Sequence, residues 1–324
     1  MAPPGDKLAR FDRFLRGRAD QNPWLPAGGF APDHELLREL LIEAVGTSQQ
    51  SGVVAGAVDV WAAEELRRAG FHPDDVWPRR EPPRVKPRDL RSFLDYGLTR
   101  ELKRDVEARF SRPGARRALP AEAHVMGRAF SKQSDVLIAS WATGVELLIS
   151  TKTMLSSYQK NLRNRFEEGY GDAKNLRGRH PLAALGFLFL VGADIPAPAL
   201  DFASDMLRKL STEPDVYDCA CLLVLDGAQG RIVESEEDGE PAEPAAGAPD
   251  DDGDLEEDLP LYAELPRTDG AAARVRLDQG PVPPDLRAER FFERLIGAAL
   301  ARMPVDVYPE VRSRRRAAAG GAPA

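Results

Sequence analysis

Three residues stand where chemistry could be done: Asp135, Ser150 and Lys152. They bracket two short apolar runs, VLIAS at 136–140 and VELLIST at 145–151, joined by the Gly-containing WATG at 141–144. Two such runs across a short turn predict a β-hairpin. Side chains on a strand alternate faces, so Glu146, Leu148, Ser150 and Lys152 share one face. Asp135 opens the first strand and Lys152 ends the second, and in an antiparallel pair those two ends lie side by side. A carboxylate and an ammonium then converge on one small site. A carboxylate can hold a hard cation that polarises a phosphate, and a lysine can orient a water or stabilise developing charge. Those are parts that hydrolysis of a phosphodiester requires.

An Asp opening one strand, a second strand ending in acid-x-Lys and a helix after it resemble the core of the PD-(D/E)XK nuclease superfamily, which includes many restriction endonucleases. The resembling part covers roughly residues 96 to 230. It implies that Asp135 binds metal and that Lys152 is catalytic. It departs from the pattern at the second acid, because the tripeptide here is Ser150-Thr151-Lys152. The resemblance implies Mg²⁺, or Mn²⁺ in its place, and DNA as substrate. It also implies a Glu from the helix before the sheet, and a Gln or Tyr on the helix after it, here Gln159 and Tyr158.

One Asp alone makes a poor magnesium site, so another carboxylate is needed. Glu146 faces the right way, but four residues put its backbone about 13 Å from Ser150. The segment LTRELKRDVEARF at 98–110 reads as a helix and offers Glu107 and Glu101, the favoured pair; Glu122 and Glu167 are further options. The expected metal set is Asp135 with Glu107.

After Lys152, the residues Leu155, Tyr158, Leu162 and Phe166 form one helical stripe, with Lys160, Arg163 and Asn164 on another face. Gly169, Gly171 and Gly178 are expected to loosen the chain beyond it. Lys132, Lys160, Arg163, Lys174, Arg177 and Arg179 are the cations expected to meet the phosphates of a bound strand.

Composition sets bounds on this reading. The 324 residues are 43% hydrophobic and 30% charged, an ordinary balance for a globular chain. No run approaches the roughly 20 apolar residues of a membrane helix, and the first residues lack an apolar signal core, so a cytoplasmic protein is expected. Fourteen of the acids fall within 234–264, which has no Lys or Arg; without them the formal charge of −8 becomes +6. A mildly basic body permits nucleic-acid binding. Cys219 and Cys221 alternate along a predicted strand and read as core thiols. No glycine-rich phosphate loop or zinc-type Cys/His spacing occurs.

The expected architecture is α/β: a restriction-endonuclease-like mixed central sheet flanked by helices, with an N-terminal helical region. Its parts are a flexible arm at 1–31, helices at 32–80, a Pro-rich hinge at 81–95 and a nuclease-like core at 96–232. An acidic insert at 233–268, a strand and helix at 269–312 and a basic tail at 313–324 complete it. The function expected is a metal-dependent DNA endonuclease of restriction or anti-phage defence. Besides DNA, a homodimer and a companion helicase or methyltransferase are the partners such a role admits. Ser150 opens an alternative, a catalytically silent nuclease-fold subunit that binds nucleic acid or assembles a defence complex.

Overall fold

The structure is a computed structural model, described here over residues 6–18, 21–44, 52–110, 122–227 and 275–320. Its centre is a six-stranded mixed sheet. The strands are β1 (Val76–Trp77), β4 (Val136–Ser140), β5 (Gly144–Met154), β6 (Ala184–Gly192), β7 (Cys219–Asp226) and β8 (Arg276–Leu277), in that spatial order. Neighbours at β1/β4, β4/β5 and β7/β8 are antiparallel, and β5, β6 and β7 run parallel. A separate two-stranded hairpin, β2 (Ala123–Met126) with β3 (Ser131–Ser134), leads into β4 through a bend at Asp135.

Helices cover both faces, as fully apolar parallel strands require. Leu147 and Ile149 of β5 pack with α1 (His34–Ala44), α2 (Val53–Ala69) and α7 (Ala288–Arg302). Leu148 points the other way, into a second core with α5 (Tyr158–Arg177) and α6 (Ala197–Thr212). The two cysteines lie buried in the first core, on one face of β7 as expected. Helices α3 (Arg88–Tyr96) and α4 (Arg100–Phe110) lie outside these layers, and α8 (Pro309–Ala318) follows α7.

Helix α2 is buried almost all round. Apolar residues fill most of its surface, and its charged end is neutralised internally. Glu64 pairs with Arg67 and Arg80, and Glu65 takes Arg68 and the backbone N–H of Asp33. A helix hydrophobic on all sides belongs in an interior.

Several boundaries differ from the sequence expectations. The described part of the arm at 1–31 is packed: Phe11, Leu15, Trp24 and Phe30 are buried in the α2 core, and Arg84 ties Asp6 and Asp12 to the body. Spaced aromatics in a Pro/Gly-rich segment anchor it with only short 3-10 turns and one bridge between Trp24 and Phe30. The hinge at 81–95 contains the start of α3, whose Arg88 and Arg91 both reach Asp75. Helix α5 runs unbroken through Gly169 and Gly171. Gly169 serves close packing, since a Cβ there would meet the Phe187 ring at 3.0 Å. The basic tail at 313–324 begins inside α8, with Arg314 bonded to the Arg68 backbone carbonyl. The acidic insert at 233–268 lies outside the described residues.

Candidate functional site

The hairpin forms as expected, with Val136 opposite Ile149. That register sets Asp135 beside the C-terminal half of β5. Its Oδ2 accepts the backbone N–H of Thr151 at 2.7 Å. Ser150 and Thr151 then point to opposite faces of the sheet. Thr151 looks toward α2, and Ser150 and Lys152 look toward α5.

On the α2 side stands Asp59, which sequence reasoning missed. Its carboxyl lies beside Asp135 and the Thr151 side chain. Asp59 Oδ1 and Thr151 Oγ1 are both buried without a well-formed hydrogen bond. Burial, then the neighbouring Asp135 charge, pushes Asp59 well above the ordinary carboxylate range. Asp135 keeps a sliver of solvent contact, yet burial dominates and raises it to about 6. The Thr151 amide, Lys152 and Lys132 pull it back. The signal for Asp59 was present: it is a lone carboxylate between Val58 and Val60 in an otherwise apolar run.

On the α5 side, Lys152 Nζ lies 3.2 Å from Glu168, and Lys132 Nζ lies 3.3 Å from Asp172. Glu168 and Asp172 are one helical turn apart on α5, so both reach the sheet. They too were missed; their spacing was the available signal. These four residues, with Phe130 and Gly171, line a pocket of about 190 Å³. Burial raises Asp172, and the two lysines oppose that shift. Deeper in, the Tyr217 hydroxyl faces Ser150 and has no well-formed partner. Ser134 Oγ is likewise buried and unpartnered.

The remaining expected site residues fall elsewhere. Glu107 sits on α4, which buries no residue, and pairs with Lys86 at 3.6 Å; it is not among the main charges acting on Asp135. The reason is polarity: α4 has no apolar face to dock on the sheet, whereas α2 has little else. Glu101, Glu122 and Glu167 are exposed. Glu146 is fully buried and held by both terminal nitrogens of Arg88, at 3.1 and 3.0 Å. Gln159 is exposed at the start of α5, while Tyr158 donates to Asp194 and accepts from the Gly192 amide. Lys160, Arg163 and Arg179 are exposed, and the Arg163 guanidinium lies 5.8 Å from the Phe202 ring centre. Lys174 caps the Pro214 carbonyl at 2.8 Å. Arg177 is not available to a strand of nucleic acid. It is buried and bonded to Asp218, Val216 and Ala183, tying α5 to β6 and β7.

No group of three or more His, Cys, Asp or Glu in metal-binding range occurs among the described residues. The donors that do converge are two carboxylates, one with an unpartnered buried oxygen, and a neutral hydroxyl. That set fits Mg²⁺, which is commonly held through one or two carboxylates and keeps several waters. No protein-family model, curated protein or solved structure matches the chain. No helix among the described residues is long and apolar enough to cross a membrane.

Proposed function

We propose that this chain is a metal-dependent nuclease that hydrolyses phosphodiester bonds in DNA, with a restriction-endonuclease-like core. The observation that carries the reading is the meeting of Asp59 with Asp135 beside Lys152. Asp59 supplies from α2 the carboxylate that Ser150 lacks on β5. Asp59 and Asp135 would hold Mg²⁺ or Mn²⁺, whose chemistry is to polarise the phosphate and acidify water. Lys152, held by Glu168, orients the attacking water or stabilises charge as the bond breaks. Lys132, on β3 of the separate hairpin, adds a second positive charge acting on Asp135. A place in restriction or anti-phage defence belongs to this proposal by resemblance alone.

The test is cleavage of plasmid and phage DNA with Mg²⁺ or Mn²⁺, comparing wild type with Asp59→Asn, Asp135→Asn and Lys152→Ala. Each substitution should lower the rate at least about 100-fold, the scale of losing an electrostatic or general-base contribution. Cutting that survives Asp135→Asn sinks the site. Salt-dependent DNA binding without cutting would favour the silent subunit instead.

A further inference from the structure

We infer that the pocket beside Lys132 and Lys152 takes an unpaired nucleotide, with Phe130 at its rim stacking on the base. This rests on the nuclease reading above and names the form of DNA that the same site accepts.

Phe130 is 47% exposed, although the ring borders the pocket. An isolated exposed aromatic is ordinary; this one stands on a pinned turn. It ends the turn between β2 and β3, which closes through Gly127 N–H to the Phe130 carbonyl at 2.9 Å. Asn175 of α5 then pins the turn. Its Oδ1 accepts from the amides of Ala129 and Phe130 at 2.8 and 3.3 Å, and its Nδ2 donates to the Phe130 carbonyl at 3.0 Å. The Asn175 carbonyl takes the Arg128 amide at 2.8 Å. Gly127 makes the approach possible, since a Cβ there would fall 2.2 Å from the Asn175 side chain.

A buried amide spent on fixing one turn holds the Phe130 backbone beside two lysines. The base faces of a duplex are covered by their neighbours, so only an unpaired base can offer its face to such a ring. The lysines, paired with Asp172 and Glu168 in the free protein, supply the phosphate contacts. A half-open pocket of about 190 Å³ admits part of one nucleotide.

The experiment is fluorescence anisotropy of the full chain in EDTA, where no metal-dependent cleavage occurs, with labelled oligo-dT and a duplex of the same length at one fixed salt. The single strand should bind more tightly. Phe130→Ala should weaken it about ten-fold while changing duplex affinity less than about two-fold, and Phe130→Trp should retain it. Thermal melts of both variants separate lost stacking from lost folding. Tighter duplex binding, equal behaviour of Phe130→Ala and Phe130→Trp, or no DNA binding overturns the inference. If it falls while Asp135-dependent cleavage of duplex DNA persists, the nuclease reading stands; if that cleavage is absent as well, both fall.

Discussion

Asp135 in the folded chain holds its proton up to about pH 6, against 3.8 for an ordinary Asp, and Asp59 beside it is displaced in the same direction. Between those two values the folded state binds more protons than the unfolded one. Stability therefore falls as pH rises through that window and stays lower above it. Asp135→Asn keeps an oxygen for the Thr151 amide and removes the buried charge. Without divalent cation it should stabilise the chain at pH 8 by about 1–3 kcal/mol, after discounting for residual solvent contact, with the gain vanishing toward pH 4. Melts at the two pH values check this; a variant less stable than wild type at pH 8 refutes it. Millimolar Mn²⁺ should raise the wild-type Tm and leave the variant unmoved, because only the carboxylate pair gains a counter-charge.

Helix α5 shows how an element assigns roles that composition alone cannot. Its basic residues look alike in sequence, yet Arg177 faces inward. There Arg177 and Arg302 share Asp218, and the carboxyl is held below its usual range despite burial. Arg177→Gln leaves part of that charge unpaired and should cost about 3 kcal/mol of stability. A normal Tm together with a selective loss of DNA affinity would restore Arg177 to the binding surface. The hairpin, the parallel strands and α7 were legible because apolar runs of strand length and a 3.6-residue stripe report burial directly. The identity of the acid-bearing helix was not. The resemblance implies a Glu from the helix just before the sheet, which is α4, whereas docking follows apolar surface, which α2 carries and α4 lacks. Asp135 and Lys152 were legible because strand ends sit next to each other by register; Asp59, Asp172 and Tyr217 arrive from packing, and a lone acid in an apolar run or two acids one turn apart do not say which partners they meet.

Across the whole molecule, the N-terminal segment is structural. Phe11 and Phe30 are almost wholly enclosed, and the Phe30 ring lies 5.3 Å from Phe292 of α7 and 5.2 Å from Trp24. Removing residues 1–31 deletes four large buried side chains, each worth about 3–5 kcal/mol if an aromatic. That exceeds the margin of a typical domain. The shortened chain should show no cooperative thermal transition, although the hairpin and α5 are intact in sequence. A cooperative melt would restore the picture of a dispensable arm.

The centre is drawn from both faces of one sheet, with Asp59 from α2, Asp135 from the entry to β4 and Lys152 from the end of β5. No piece of the chain shorter than 59–152 contains all three. While the ribosome is still making this protein, Asp59 emerges first and waits for partners that exist only after the hairpin has been made and docked. A growing or truncated chain therefore carries the ingredients of the centre without its geometry, so the cleavage proposed for it would wait on the finished molecule.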